Sequence, residues 1–152
     1  MPRHEQTKEF SYRPEQLYKL VTDVSRYPEF LPWCLAAEVQ VIDDHEILAE
    51  LTIGYSLFRE KYTSRVRMSP PQKIDVQYTQ GPFKHLYNHW RFEPTPNGCM
   101  VHFFVEFEFK SFILDQLMGR FFMLAVEKMV SAFEKRAHDL YGPPQGVEFA
   151  SS

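Results

Sequence analysis

The sequence predicts an α+β protein of helix-grip architecture: a curved antiparallel sheet of about seven strands wrapped on a long C-terminal helix, with two short helices after the first strand. Three observations predict it. Between 35 and 110, strand-like segments recur about every ten residues, punctuated by Asp43-Asp44, Pro70-Pro71, Gly81-Pro82 and Pro96-Asn97-Gly98. Such spacing leaves no room for crossover helices, so successive strands are antiparallel neighbours. In the segment 100–110, Val101, Phe103, Val105, Phe107 and Phe109 fall on one face and His102, Glu106 and Glu108 on the other, with Phe104 the exception. That alternation marks one dry and one wet face. Finally, 113–141 carries apolar residues at helical spacing and stops at Gly142-Pro143-Pro144.

The elements follow in order. A strand over 4–12 places Phe10 and Tyr12 on one face. Pro14 suits a first helical position, and Leu17, Leu20, Val21 and Val24 recur at helical spacing, giving a short helix that ends near 23–25. The octet 27–34, Tyr-Pro-Glu-Phe-Leu-Pro-Trp-Cys, forms a second brief helical turn or loop. Its prolines push Tyr27 and Leu31 out of the α region and hold large apolar side chains in one stiff shape. Strands are expected over 35–43, 46–55, 58–68, 73–80, 85–93 and 100–110. The final helix, roughly 40 Å long at 1.5 Å per residue, has Ile113, Leu117, Phe121, Leu124, Met129, Phe133 and Leu140 on one face. Leu114, Met118, Phe122 and Val126 widen that face until the first half is apolar almost all round, so the helix is expected to be nearly enclosed by the sheet.

At 152 residues the chain is expected to be one domain over 1–141 with a disordered tail over 142–152. Aromatic content of 16%, charged content of 24% and a mean hydropathy of -0.38 describe a soluble protein. A net charge of -3 gives no general attraction to nucleic acid or anionic membrane, and no DNA partner is expected. No run of about 18 apolar residues is present to span a bilayer. The N-terminus lacks an apolar signal region, and the two cysteines form no framework, so a reducing cytoplasmic setting is expected.

A single sheet wrapped on one helix rarely closes completely, and the space left is expected to be a cavity. Its walls are predicted from Phe103, Val105 and Phe107, from Trp90 and Phe92 on the preceding strand, and from Phe121 and Phe122 on the helix. Tyr27, Phe30, Leu31 and Trp33 of the octet would stand at its mouth and act as a gate. The same residues also suit a closed core capped by a plug; both readings are open at this level. Two polar residues share the inward face by period two: Ser64, with Tyr62, Val66 and Met68, and Asn88, with Trp90 and Phe92. In a closed core each would cost about 1–3 kcal/mol unless partnered. Facing a cavity, each can address water or a carbonyl-bearing head group.

Other constellations resemble chemistry without supporting it. Glu106 and Glu108 are roughly 7 Å apart along a strand, a separation that paired acids use, but they alternate with the apolar set and face solvent. His85 and His89 would lie roughly 13 Å apart on a strand, too far for one metal ion. No phosphate loop, nucleophile elbow or Cys-x-x-Cys pair occurs. No catalytic residue, metal or cofactor is expected. Arg59, Lys61, Arg65 and Arg67 make a basic stripe on the wet face of their strand, read as a solvated face or as a docking surface for anionic head groups or ribosomal RNA.

The stretch Ser25-Arg26-Tyr27-Pro28-Glu29-Phe30-Leu31-Pro32-Trp33-Cys34 resembles the signature of the coenzyme Q-binding, START-like family, which is related to polyketide cyclases and to ribosome-association toxins. The resemblance continues in Tyr62-Thr63-Ser64-Arg65-Val66, Trp90-Arg91-Phe92-Glu93-Pro94, Phe107-Glu108-Phe109-Lys110-Ser111 and 129–136, so that it spans about residues 4 to 141. It implies the START/Bet v-like helix-grip fold. It also implies a non-catalytic carrier or chaperone whose bound ligand is ubiquinone or another prenyl lipid, supporting respiratory electron transport. Transient contact with a membrane surface or with respiratory enzymes, peripheral to the inner membrane, would follow. The alternatives are a ribosome-binding toxin-like protein and a polyketide aromatase/cyclase.

Overall fold

The computed structural model describes residues 3–55 and 58–143. Its elements are β1 (Arg3–Phe10), α1 (Pro14–Thr22), a 3-10 helix (Val24–Glu29), β2 (Cys34–Asp43), β3 (Glu46–Tyr55), β4 (Phe58–Ser69), β5 (Lys73–Gln80), β6 (Phe83–Thr95), β7 (Gly98–Phe109) and α2 (Phe112–Tyr141). The seven strands form one antiparallel sheet in the order β1-β7-β6-β5-β4-β3-β2, so that β1 returns to pair with β7 and every other neighbour follows in sequence. This is the START-like helix-grip fold. The part of the expected tail from 144 onward lies outside the described residues.

Where boundaries differ from expectation, local chemistry explains them. β1 ends at Phe10 because the chain there crosses Gly98. A Cβ on Gly98 would stand 2.2 Å from the Phe10 carbonyl oxygen, and its φ of 155° suits glycine. β6 is longer at both ends. Phe83 pairs with Phe109 directly after the Gly81-Pro82 turn, and Pro94 pairs with Cys99 beyond Arg91, the last β6 residue paired with β5. Past that point β6 has a partner on one side, so the missing Pro94 N–H costs no ladder bond there. Tyr27, expected to leave helical geometry ahead of Pro28, instead lies inside the 3-10 helix with Pro28. Its hydroxyl donates to the Val21 carbonyl, and its ring meets Phe133 edge-on at 5.7 Å; these tertiary contacts hold the turn.

The largest departure is α2. It was expected to be nearly enclosed, but its buried residues are Phe122, Val126, Phe133 and Ala137. These and Leu114, Met118, Met129 and Val130 form the inward stripe; of the predicted inward face, Met129 and Phe133 belong to it, whereas Ile113, Leu117, Leu124 and Leu140 are exposed. At 100° per residue one stripe alone can meet a sheet, and the chain points the Phe122 row at it rather than the Phe121 row.

Two groups of buried side chains occupy the concave face. One surrounds α1 and includes Leu17, Tyr18, Leu20, Val21, Ile74, Phe92, Phe133 and Ala137. The other lies at the β7–α2 corner and includes Phe83, Leu86, Phe107, Phe109, Phe122 and Val126. The space between them is the site.

Candidate functional site

A partly open cavity of about 230 Å³ lies between the concave face of the sheet and α2. It runs from Val21, near the end of α1, and Val24, at the start of the 3-10 helix, to Phe109 and Met118 at the β7–α2 corner. Period two along β4, β6 and β7 supplies its walls. Ser64, Asn88, Trp90, Phe103, Val105 and Phe107 all face it, as does Phe122 from α2 and Tyr27, Leu31 and Trp33 from the octet. Ten of the thirteen predicted residues therefore line one space.

The other three stand elsewhere. Phe92 is 2% exposed and packs edge-on against Tyr18 of α1 at 6.0 Å. It shares the inward face of β6 with Trp90, but α1 covers that end of the sheet and makes Phe92 core. Phe30 turns outward, meeting Phe133 at 5.3 Å and carrying the Arg136 guanidinium 5.0 Å above its ring. It lines a surface groove with Glu29, Pro32 and Leu124. Phe121 is half-buried and does not line the cavity; its neighbour Phe122 takes the inward position.

Sequence reasoning missed Ile53, Tyr62, Phe83, Leu86, Met118 and Met129 as lining residues. Tyr62 was within reach, since period two puts it beside Ser64. Phe83 was hidden by the Gly-Pro turn before it, and Met118 by the breadth of apolar residues on α2.

The octet is fixed to its surroundings. The Phe30 and Leu31 amides donate to the Tyr27 carbonyl at 3.1 and 2.9 Å, and Gly54 N donates to the Trp33 carbonyl at 2.9 Å. Glu29 accepts from Arg26 at 3.0 Å and from Arg136 of α2 at 2.9 Å. These two cations hold the Glu29 carboxyl below the usual carboxylate range through their hydrogen bonds, Arg136 contributing most. The connector is thus a tied wall of the cavity that turns Tyr27, Leu31 and Trp33 inward and Phe30 outward.

No carboxylate, ammonium, guanidinium or imidazole is among the described residues lining the cavity. Its polar groups are the Ser64 hydroxyl, the Asn88 carboxamide, two phenols and two indoles. Burial pushes the Tyr27 and Tyr62 phenols well above their ordinary value of 10.0 and the Cys34 thiol up to about 11, so all three are neutral at physiological pH. Ser64 is 3% exposed, and its Oγ has no hydrogen-bond partner among the described residues.

The remaining candidates resolve into surface pairs. Glu106 accepts from His85 Nε2 at 2.8 Å, and Glu108 pairs with Lys84 at 3.3 Å, both on the outer face. His89 stacks on Phe104 with ring centroids 5.3 Å apart. Among the described residues no group of three His, Cys, Asp or Glu is placed to hold a metal ion. Cys34 and Cys99 are free and buried, on the edge strand β2 and on β7, next to the other edge. In the basic stripe, Lys61 pairs with Glu50 at 3.7 Å, while Arg65 and Arg67 pair with Glu46 at 3.7 and 3.2 Å. Carboxylates of β3 thereby neutralise much of the positive charge.

Residues 10–134 match the family described as polyketide cyclase/dehydrase and lipid transport. The chain belongs to this family. It is 41% identical over 138 residues to a protein of Rickettsia prowazekii named ribosome association toxin RatA, covering 88% of this chain and 94% of that one. It is 35% identical over 144 residues to the mitochondrial coenzyme Q-binding protein COQ10 homolog B of Xenopus laevis, covering 91% of this chain but 59% of that longer protein. The solution structure of an 18 kDa protein from Caulobacter crescentus superposes with a TM-score of 0.77 at 40% identity, over 94% of this chain and all of the other. Among the described residues no helix is long and apolar enough to cross a membrane.

Proposed function

We propose that this protein is a non-catalytic carrier that holds an isoprenoid quinone or a similar prenyl lipid in the cavity under α2. The observation that carries the reading is a 230 Å³ apolar space with Ser64 and Asn88 set into its wall. A few placed polar groups in a hydrophobic pocket suit a small ring with an apolar substituent. Burying a prenyl tail contributes about 0.8 kcal/mol per CH₂ before ordering costs, so even one five-carbon unit drives useful binding. The volume is below the roughly 300–1,000 Å³ of typical ligand pockets, so it accommodates a head group and the start of a tail. The rest of a long tail would leave past Met118 along the exposed apolar start of α2.

A neutral cavity argues against acid–base catalysis, because the described residues lining it include no carboxyl, imidazole or amine to exchange a proton near pH 7. That weighs against the aromatase/cyclase alternative. The test is native mass spectrometry of protein purified without detergent, paired with lipid extraction. A co-purifying quinone or prenyl lipid is the expected result, and apo protein free of any such lipid would remove the reading.

Ribosome binding is a second reading, favoured by the 41% identity to a relative named for ribosome association. It would use the Arg59–Arg67 stripe, although three of the four cations there already have carboxylate partners. Sedimentation with ribosomal subunits in a low-salt gradient, lost on raising salt, is its signature.

A further inference from the structure

We propose that Ser64 and Asn88 read the two oxygens of a 1,4-dioxygenated ring, and read them equally well in its oxidised and reduced forms. This rests on the carrier reading above and specifies which ring that cavity selects.

Strand register sets the spacing. Val66 pairs with Val76 and Val76 with Asn88, so Asn88 is level with Val66, two residues along β4 from Ser64. Two inter-strand steps of about 4.8 Å and two residues of about 3.3 Å put the two Cα atoms roughly 12 Å apart. Both side chains rise from the concave face of a curved sheet, where they converge. In a 1,4-dione, C=O bonds of about 1.23 Å at either end of a six-membered ring place the oxygens about 5 Å apart. A hydrogen bond of about 2.8 Å at each end extends the span to roughly 11 Å. A ring lying over Val76 and Leu86, beneath Phe122 and Val126, would meet both groups at once. All four of these apolar residues line the cavity.

Ser64 Oγ supplies the independent sign that a ligand belongs there. It is a buried polar atom of a cavity-lining residue, with no hydrogen-bond partner among the described residues. A hydroxyl in that state carries its full desolvation cost until something binds it.

Redox indifference follows from the chemistry of the pair. A quinone oxygen accepts a hydrogen bond, whereas a quinol hydroxyl can donate one. A serine hydroxyl and a carboxamide each contain both a donor and an acceptor, so each can answer either form. A lysine or a carboxylate would favour one form, and neither is among the described residues lining the cavity.

The experiment uses quenching of Trp33 and Trp90, both cavity-lining, by a short-tailed 1,4-benzoquinone. Its quinol and an alkylbenzene with the same tail are measured by competition. For the native protein, two hydrogen bonds predict about a tenfold or greater preference for the quinone over the alkylbenzene, with quinone and quinol within about threefold of each other. Ser64→Ala and Asn88→Leu should each reduce the preference for the quinone over the alkylbenzene several-fold. Asn88→Asp, an acceptor when ionised, should shift the preference toward the quinol, a readout that a packing role would not move. Native protein that fails to bind the quinone overturns the carrier reading, and this inference with it. Quinone binding with preferences unchanged in Ser64→Ala and Asn88→Leu overturns the inference alone.

Discussion

The two ends of the concave face are closed in different ways. Under α1 the sheet is sealed: Phe92 is 2% and Ile74 1% exposed, Tyr18 meets Phe92 edge-on, and the Tyr12 and Tyr141 hydroxyls donate to the Gly142 and Gln16 carbonyls. At the β7–α2 corner the aromatic rings are just as numerous, yet Phe112 and Ile113 at the start of α2 are 76% and 77% exposed. Between the two ends lies the cavity. Apolar residues are thus used for stability at one end, and at the other they remain available to a guest.

The largest expected effect tests the sealed end. Phe92→Ala should cost about 3–5 kcal/mol in urea unfolding, as for a large ring removed from a filled core. Phe107→Ala, whose ring already borders empty space, should cost clearly less; equal losses would erase the distinction. Next, Trp33→Ala should weaken retention of a bound quinone about tenfold or more while unfolding stays cooperative. That is checked by tail-matched quinone titration alongside a thermal melt, and unchanged retention would remove Trp33 from the wall.

Ser64→Ala should stabilise the ligand-free protein by about 1 kcal/mol, because it deletes a buried hydroxyl with no partner among the described residues. A destabilised variant would mean that the hydroxyl is satisfied. Alkaline pH sharpens the same contrast. Burial raises the folded-state pKa values of Tyr27, Tyr62 and Cys34, so above about pH 9 the unfolded chain releases protons that the folded chain retains. Stability from these groups is complete below the ordinary thiol value of 9.0 and falls as pH rises beyond it. Urea midpoints between pH 6 and 10.5 would check this, and a flat profile would contradict it. Smallest of all, Ile113→Ser should change stability by less than about 0.5 kcal/mol, as for any exposed site. A loss above that range would make the start of α2 part of the core.

Period two carried most of what the sequence could say about the site. It put Ser64, Asn88, Trp90, Phe103, Val105 and Phe107 on the inner face, and the cavity touches all six. The same rule misplaced Phe92, because alternation identifies a face without saying what covers it. Phe30 turned outward within a connector that has no period to follow. On α2 a composition apolar all round could not distinguish the Phe121 row from the Phe122 row.

Local chemistry therefore determined the elements and their order. Proline and glycine allow few backbone conformations, and alternating side chains can bury only one face of a strand. Whether that face would be filled was a tertiary matter. Filling depends on how far α2 stands from the sheet and where α1 ends. Those distances arise from contacts between residues remote in the chain, such as Tyr18 with Phe92 and Glu29 with Arg136.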